Sequence, residues 1–439
     1  MGLEVRTGPR RRPVTRFPIV LGAIVLGALI FRIAYIVALR HSTIAPDGFG
    51  YFFVASSVRH GHGFVNLLTG RPDANHPPAW PLTLTIPLWL GLATQLSAQV
   101  FAAFVGGATV LAVGIAGRRI SSDRSGLIAA TLAAFYPGLW VYEQRLLSET
   151  LLFLIVAIFV IAVYRYQAEP GRRNAAILGG LCGLLALTRS EQILLVPFVL
   201  IPLILGWRPR GVSRKRIAYL AIACITTVVV ILPWTLYNRD RLKEPVLLST
   251  SFGIAMAQGN CGSVYSGTKI GYFDLSCVGP LAREAARRGS KDPLGDLSLR
   301  HEAIVYMRHH LDRLPLVSLA RQGRAWSVYK PFETLDTQLQ FPQDPWWPQG
   351  LYLFFYWALI PLAAIGGVVL RRRRVSLLPL IAPFAITVVA VAMTYGEPRL
   401  RAGAEVPLVL LAAVGIEKLT STRSGSDQRV RASTDKKSS

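Results

Sequence analysis

The sequence is poor in charged residues, which make up only 16% of its 439 residues. A soluble domain of ordinary composition carries about a quarter of its residues as charged side chains. Hydrophobic residues instead reach 52%, and the mean hydropathy is +0.41. Apolar runs of about 20 residues recur along the chain, and a helix of that length crosses the roughly 30 Å hydrocarbon core of a bilayer. The composition therefore excludes a soluble domain and predicts an all-α polytopic membrane protein.

Acidic residues are also scarce, since 24 Asp and Glu stand against 48 Lys and Arg, for a net charge of +24. Such an excess could indicate a nucleic-acid partner. The basic residues, however, fall in short runs between apolar segments, at 10–16, 118–119, 172–173, 208–216, 371–374 and 436–437. Runs of this kind mark cytoplasmic loops. We therefore expect no nucleic-acid partner.

The apolar segments predict ten membrane spans if the basic N-terminus is cytoplasmic. They lie near 17–39, 97–117, 126–141, 149–165, 175–188, 192–206, 217–236, 350–370, 376–394 and 406–419. This count places every basic run on the cytoplasmic side, together with both termini. The first span is long and lacks a following small-residue cleavage site, so we expect it to be retained. Residues 81–95 are short and contain two prolines, which favours a helix lying in the outer leaflet.

The same topology predicts the organisation of the chain. We expect a cytoplasmic basic tail (1–16) and then an N-terminal transmembrane module (17–236), whose first extracytoplasmic loop is 40–96. An extracytoplasmic region (237–349) follows, with amphipathic helices near 296–313 and 316–329. The chain ends with C-terminal transmembrane helices (350–420) and a disordered cytoplasmic tail (421–439). The amphipathic pattern indicates helices that lie on the membrane surface and contact its lipids.

Cysteine is rare, with four residues in the chain. No Cys-x-x-Cys pair and no His-Glu-x-x-His motif is present, so no metal site is predicted. Cys182 and Cys224 lie in predicted spans, where a small buried hydrophobic side chain is the usual interpretation. Cys261 and Cys277 fall in the extracytoplasmic region, an oxidising place in bacteria. A disulfide between them is one hypothesis, and two free thiols are the alternative.

The stretch "APDGFGYFFVASS" places Asp47 just after the first span, at the start of a predicted helix. An aspartate there can simply cap the helix, whose N–H groups also keep it ionised. An ionised carboxylate at a membrane boundary, among aromatic side chains, is also suited to act as a general base. His76, in "NHPPAW", is either an interfacial turn residue or a group that contacts a phosphate held at the membrane surface.

Two further acids, Glu143 and Glu149, flank a predicted span end, where acidic residues are costly unless solvated or used. Helix capping explains Glu149 in part, and a second acidic or positioning role is the alternative. Arg189, Arg399 and Arg401 lie in tight turns on the predicted outer side, against the positive-inside rule. They can extend toward lipid headgroups or form an anion site, because arginine binds phosphate in a bidentate manner.

Taken in order, the motifs "DGFGYFFVASSVRHGHGF", "HPPAWPLTL", "LLSETLLF", "ALTRSEQILL", "LSTSFGIAMAQGN" and "GEPRLRAGAEVPLVLL" resemble the GT-C superfamily of polytopic glycosyltransferases that use lipid-linked sugars. The closer similarity is to the bacterial branch of protein O-mannosyltransferases and lipid A aminoarabinose transferases. Many relatives carry a second acid directly after the first, where this chain has Gly48. A second acid is therefore expected from elsewhere.

The resemblance implies an inverting glycosyltransferase in the bacterial plasma membrane. It would move one sugar from a polyprenyl-phosphate donor to a hydroxyl of a glycan, glycolipid or protein on the extracytoplasmic face, without a bound cofactor. Asp47 would be the catalytic base. Tyr51, Gly259 and Asn260 would belong to segments that contact the substrate, and His76, Arg189, Arg399 and Arg401 would bind the donor phosphate.

Two other functions stay open at this point. A transporter or flippase for lipid-linked glycans would have inverted repeats and charges at mid-membrane, whereas the charged residues here lie near the span ends. A polymerase or ligase of the O-antigen type would share the architecture but place its main Arg/His loop differently.

Overall fold

The computed structural model describes residues 16–40, 44, 46–67, 69–206, 213–242, 246–290, 292, 294–338 and 345–435. Across these ranges the chain is helical, and its only β contact is an isolated antiparallel bridge between Val65 and Pro72. The prediction of an all-α fold is confirmed. Nearly all of the N-terminal tail, part of the basic run 208–216 and the pair 436–437 lie outside the described residues.

The first half of the chain forms a bundle of long and short helices. They are α1 (Phe17–Ala38), α2 (Pro46–Arg59), α3 (Ala79–Trp89), α4 (Gln95–Ile120), α5 (Asp123–Phe135), α6 (Pro137–Gln144), α7 (Glu149–Ala168), α8 (Arg172–Thr188), α9 (Ile201–Leu205) and α10 (Arg214–Leu242). A 3-10 turn at Ser190–Leu194 and a π turn at Val196–Leu200 join α8 to α9.

The second half begins with short helices and ends with long ones. They are α11 (Ser251–Gly259), α12 (Gly262–Tyr265), α13 (Val278–Arg287), α14 (Asp296–His309), α15 (Leu314–Ala325), α16 (Pro331–Gln338), α17 (Trp346–Arg372), α18 (Leu378–Met393) and α19 (Ala402–Asp435). Short 3-10 turns lie at Leu275–Cys277 and Pro398–Arg401. Helices α14 and α15 occupy the two stretches where amphipathic helices were expected.

Every one of the ten predicted spans falls on helical chain. By length and composition, α1, α4, α7, α10 and α17 can cross a membrane, and α5 with α6 adds a sixth span bent by 42°. The apolar segments Ser190–Leu205 and Leu378–Met393 are shorter. The count of ten therefore stays a prediction, and the several apolar helices support a multi-pass membrane protein. Helix α3 has 11 residues and rises only about 17 Å, which is too short to span.

Small residues let the long helices pack closely, as is usual between helices in membranes. Helices α17 and α19 approach so closely that a Cβ atom at Gly366 would lie 1.9 Å from the carbonyl oxygen of Leu411, and one at Gly415 would lie 2.1 Å from that of Leu362. Helix α19 thereby becomes a buried central helix, whose side chains from Val406 to Val414 are almost all inaccessible.

The region 246–338 is attached to the turn that precedes α19. Arg321 of α15 is fully buried and donates to the carbonyl oxygens of Ala392 (2.8 Å) and Gly259 (2.6 Å) and to Oδ1 of Asn260 (2.9 Å). The backbone N–H of Gly396 donates to Gly271, with the N and O atoms 2.8 Å apart. Four separate segments therefore meet at the end of α18, and they set the direction in which the turn 394–401 leaves it.

Helix α2 rests on the short turn between α6 and α7. A Cβ atom at Gly48 would lie 1.9 Å from the carbonyl oxygen of Arg145, and Trp80 of α3 donates its indole N–H to the carbonyl of Leu146 at 2.7 Å. Only glycine fits at position 48 without displacing α2. This contact explains why a second acid cannot follow Asp47 directly.

We predict that Gly48→Ala destabilises the protein by about 1–3 kcal/mol, because the added methyl group must push α2 off the turn. Gly50→Ala is the matched control. No atom lies within 4 Å of a Cβ atom at Gly50, and alanine is the better helix former by up to about 1 kcal/mol. Thermal unfolding of the purified protein measures both effects. Equal loss of stability in the two variants would contradict this packing.

Candidate active site

Asp47 lies in the first turn of α2, where Pro46 begins the helix. Its Oδ2 atom accepts from Nη1 of Arg399 at 2.6 Å. Arg399 is carried by the 3-10 turn Pro398–Arg401, at the far end of the chain. Both side chains keep access to solvent, with 41% of Asp47 and 24% of Arg399 exposed. The carboxylate and the guanidinium are therefore paired at the edge of an opening and not sealed in the interior.

Glu149, the first residue of α7, is the second carboxylate of this ion-pair cluster. Its side chain is fully buried, and Oε1 accepts from Nε of Arg399 and from Nη1 of Arg189, each at 2.5 Å. Arg189 also donates from Nε to Glu191 at 2.6 Å. Arg399 thus bridges the carboxylates of Asp47 and Glu149. These four ion pairs join α2, α7 and the turns 189–191 and 398–401 in one charged cluster.

The cluster controls the protonation of Asp47. Burial alone would raise the pKa of Asp47, but the Arg399 guanidinium, with smaller effects of His76 and Arg189, lowers that pKa to about 2. Burial lowers the pKa of His76, although Asp47 and Asp73 oppose this change. At neutral pH the carboxylate is therefore ionised and the imidazole is neutral. His76 can donate one hydrogen bond but brings no positive charge.

Tyr51 joins His76 to the cluster. Its hydroxyl lies 3.4 Å from Nδ1 of His76 and 3.4 Å from Oγ of Ser148, and the rings of Tyr51 and His76 are 4.6 Å apart between centroids. Burial, and then the charge of Asp47, raise the pKa of Tyr51 to about 12. The phenol therefore stays protonated, and it positions the imidazole beside α2.

A cavity of about 90 Å³ opens directly beside Asp47 and Arg399. Its walls come from the start of α2, from α6 and the turn after it, from the first turns of α17 and from the turn before α19. The lining residues are Pro46, Asp47, Val141, Tyr142, Arg145, Leu147, Gln349, Tyr352, Glu397 and Arg399. A small molecule placed there would contact the carboxylate and the guanidinium at the same time.

Several predicted site residues lie elsewhere. Glu143 is buried and pairs with Arg32 of α1, with Oε1 and Nε 2.9 Å apart. Arg401 is also buried. It pairs with Glu405 at 3.0 Å, stacks over the ring of Tyr356 and donates to the carbonyl of Ala325. Glu143 and Arg401 therefore link helices, and neither reaches the cavity.

Gly259 and Asn260 are not among the residues that line the cavity. They pack behind the turn that carries Arg399, where a Cβ atom at Gly259 would lie 2.0 Å from the carbonyl oxygen of Thr394. Cys261 and Cys277 form a disulfide with Cα atoms 5.7 Å apart. This crosslink closes the segment that follows Asn260.

Eight of the ten residues that line the cavity were not among the predicted site residues, and Tyr142, Gln349 and Glu397 are three of the eight. Glu397 stands two residues before Arg399, and its place on an outside turn was a signal that could have identified it. Burial raises the pKa of Glu397, with Arg399 opposing and Asp47 adding to this effect. Tyr142 and Gln349 gave no sequence signal, because their contribution depends on how α6 and α17 pack around α2.

Chemically, the cluster combines a candidate base with fixed cations. Arg399 uses three of its five N–H groups on the two carboxylates, so two remain for another anion. Among the described residues, no three His, Cys, Asp or Glu side chains are grouped so that they could hold a metal ion. A metal-independent site stays a prediction.

Part of the chain matches a known protein family. Residues 75–237, which include His76, Glu149 and Arg189, match the model of the family described as dolichyl-phosphate-mannose-protein mannosyltransferase. A search of the curated proteins gives no significant match.

Solved structures with some similarity include the archaeal oligosaccharyltransferase AglB from Archaeoglobus fulgidus in complex with an inhibitory peptide and a dolichol-phosphate. The TM-score is 0.47 at 14% identity, over 92% of this chain and 52% of that one, so this chain spans about half of that protein's length. ArnT from Cupriavidus metallidurans bound to undecaprenyl phosphate gives a TM-score of 0.44 at 15% identity, over 92% of this chain and 78% of that one. For residues 75–237, the family match supports the resemblance to polytopic glycosyltransferases that the sequence motifs indicate.

Proposed function

We propose that the protein is an inverting glycosyltransferase that moves one sugar from a polyprenyl-phosphate donor to a hydroxyl acceptor. The observation that carries this proposal is the Asp47 carboxylate, which is held ionised by Arg399 at the mouth of a cavity. The family match and the apolar helices support a lipid-linked donor that reaches the site from the membrane. The expected location is the extracytoplasmic face of a bacterial plasma membrane, and the acceptor is a glycan, glycolipid or protein.

In the proposed reaction Asp47 is the general base. The acceptor oxygen attacks the anomeric carbon from the side opposite the phosphate, and its proton passes to the Asp47 carboxylate. The bond between the anomeric carbon and the phosphate oxygen breaks, and that oxygen keeps the electron pair. Because the carboxylate has a pKa of about 2, it is available throughout the neutral range.

Arg399 has two tasks in this mechanism. It positions Asp47, and its remaining N–H groups stabilise the charge that develops on the leaving phosphate. Arg189 is a second cation of the same cluster and is only 13% exposed. The cluster contains two arginines and three carboxylates, those of Asp47, Glu149 and Glu191, so its net charge is not positive. A long-range positive field therefore does not attract the donor phosphate. The phosphate is instead recognised by directed N–H groups at close range.

We predict that Asp47→Asn lowers the turnover number by about 10²- to 10⁴-fold, which is the usual contribution of a positioned base. The measurement is transfer of labelled sugar from polyprenyl-phosphate donors by the full-length protein in lipid vesicles. Asp312→Asn, at an exposed aspartate remote from the cluster, is the matched control and should keep the wild-type rate. Transfer by Asp47→Asn at the wild-type rate would rule out this base.

We predict that Arg399→Gln raises the KM for the donor and moves the acid limb of the pH–rate profile to higher pH. Asp47 has a native pKa of about 2, below its ordinary value of 3.8, and Arg399 is the largest of the interactions that lower it. Once the guanidinium is gone, burial raises the pKa of Asp47, so the base is lost at a higher pH as the solution is acidified.

Arg399→Lys keeps the charge but not the bridging geometry, so its acid limb should lie between those of the wild type and Arg399→Gln. Arg399→Lys is also expected to fold if the Arg399→Gln variant does not. Arg283→Gln, at an exposed arginine on α13, is the control for both. An unchanged KM together with an unchanged acid limb in the two Arg399 variants would overturn the assigned role.

A further inference from the structure

We propose that Arg321 is a positioning residue for the transfer reaction and that it acts through Arg399. This inference rests on the proposed function, in which Arg399 lies between the base and the donor phosphate. It assigns a role in the same reaction to an arginine that does not line the cavity. It is carried by the contacts of one buried guanidinium, which joins the ends of two other helices directly behind the turn 394–401.

Arg321 differs from the other fully buried arginines in its partners. Arg32, Arg324 and Arg401 each form an ion pair with a carboxylate. In the described part of the chain, the side chain of Arg321 donates only to oxygens of uncharged groups, and its Nε atom has no partner. Burial lowers the pKa of Arg321, and Tyr265, whose ring centroid lies 5.8 Å from the guanidinium carbon, opposes this change. A charge buried without a counter-ion costs free energy, so other contacts have to offset that cost.

These contacts lie at the C-terminal ends of two helices. Nη1 of Arg321 donates to the carbonyl oxygen of Ala392, the penultimate residue of α18, at 2.8 Å. Nη2 donates to the carbonyl oxygen of Gly259, the last residue of α11, at 2.6 Å. Carbonyl groups in the last turn of a helix have no partner within that helix, and each C-terminus carries about half a negative charge from the helix dipole. Two helix ends therefore take the place of a carboxylate, and the guanidinium fixes one end relative to the other.

The backbone of Arg321 contacts the chain that follows α18. A Cβ atom at Gly396 would lie 2.2 Å from the carbonyl oxygen of Arg321, and a Cβ atom at Gly271 would lie 2.6 Å from its backbone nitrogen. Gly396 also donates its N–H to the carbonyl of Gly271, with the N and O atoms 2.8 Å apart. Arg321 thus lies between two glycines, one of which belongs to the turn 394–401. Its side chain and its backbone together hold the chain at Ala392 and at Gly396.

The turn passes this restraint on to Arg399. Arg399 comes three residues after Gly396, and a 3-10 turn begins at Pro398, whose ring fixes its φ. A shift at the end of α18 therefore moves the Arg399 guanidinium. A displacement of about 1 Å in a catalytic site can lower activity by about 100-fold. Arg321 therefore affects the reaction although it touches neither the base nor the cavity.

The protonation of Asp47 shows whether Arg399 is in position. Burial alone would raise the pKa of Asp47, and Arg399 is the strongest of the groups that lower it to about 2. If the guanidinium moves away, this pKa rises, and the base is lost at a higher pH as the solution is acidified. The other titratable or charged groups around Asp47 are Tyr51 on α2, His76 before α3, Glu149 on α7, Arg189 after α8, and Tyr395 and Glu397 before α19. The Arg321 side chain hydrogen-bonds to none of these described groups, so its loss changes the pKa of Asp47 through movement of the turn before α19.

The test compares Arg321→Gln, Arg321→Lys and Arg324→Gln in the full-length protein in lipid vesicles. Arg324 is the matched control, because it lies on the same helix and is almost equally buried. It donates to the carbonyls of Thr268 and Ile270, within the region 246–338, and not to α18. Thermal unfolding measures the stability of each variant. Transfer from mannose-loaded and pentose-loaded polyprenyl phosphate gives kcat, KM and the acid limb, and the infrared carboxylate band that is lost in Asp47→Asn gives the titration of Asp47 without turnover.

Arg321→Gln should lower kcat/KM by about 10- to 100-fold and move the acid limb part of the way toward that of Arg399→Gln. Arg321→Lys keeps the charge, but its ammonium group lacks the planar fork that reaches both helix ends. Its acid limb should lie between those of the wild type and Arg321→Gln, and it replaces the glutamine variant if that variant does not fold. Arg324→Gln should lose a similar amount of stability and keep the wild-type acid limb and kcat/KM.

Combining Arg321→Gln with Arg399→Gln distinguishes a positioning role from a general loss of structure. If Arg321 acts through Arg399, the double variant should have the acid limb and kcat/KM of Arg399→Gln alone, because the effects of residues in one chain of contacts are not additive. Losses in kcat/KM that multiply in the double variant would overturn the positioning role. A wild-type acid limb in Arg321→Gln would do so as well.

Failure of the positioning role and failure of the proposed function give different results. If the wild type transfers sugar and Arg321→Gln behaves like Arg324→Gln, only the role of Arg321 is wrong. If the wild type transfers no sugar, the proposed function is wrong, and the infrared titration of Asp47 decides about Arg321. A higher pKa of Asp47 in Arg321→Gln but not in Arg324→Gln then supports the positioning of Arg399, and an equal pKa in both variants overturns it.

Discussion

The bridge that Arg399 makes between Asp47 and Glu149 is the interaction on which the site depends. The two carboxylates belong to α2 and α7, and the guanidinium comes from a turn 352 residues after Asp47 and 250 residues after Glu149. One side chain therefore joins α2, the buried start of α7 and the turn that precedes α19. Without this alignment the pKa of Asp47 would rise, and the cavity would lose the wall that Arg399 provides.

Burying the charges of this bridge costs free energy, and other parts of the fold offset that cost. Glu149 is fully buried, and a buried charge is tolerated only when it is closely paired and hydrogen-bonded. Arg189 and Arg399 provide that pairing from two directions. The turn that carries Arg399 is in turn held by Arg321, Gly259 and Gly271. The region 246–338 thus supports the turn that carries Arg399, and two of its glycines, Gly259 and Gly271, lie directly against backbone atoms.

The sequence predicts much of this arrangement, but only as separate pieces. Asp47 and Arg399 were each identified by their place outside the apolar segments, and the ten apolar segments all prove helical. The same signals also pointed to Glu143 and Arg401, which instead pair with Arg32 and Glu405 between helices. An acid or arginine near a span end looks the same in the sequence in both cases. Which one faces a cavity depends on helix rotation and on contacts between distant segments.

Other features could not be predicted because they depend on close packing. Tyr142 and Gln349 are ordinary residues in the sequence and become important only because α6 and α17 place them around α2. Gly48 looked like a departure from the pattern of related proteins, in which a second acid often stands at that position. Its lack of a side chain lets α2 approach the carbonyl of Arg145, while Glu149 brings the second acid from α7.

We propose that Arg399 holds the Asp47 carboxylate and the donor phosphate together. A cryo-electron microscopy structure of the full-length protein in nanodiscs with bound polyprenyl phosphate tests it most directly. We predict a phosphate oxygen within hydrogen-bond distance of the Arg399 guanidinium, next to the Asp47 carboxylate and at the edge of the cavity. A phosphate bound elsewhere, with the pair between Asp47 and Arg399 undisturbed and the cavity empty, would contradict it.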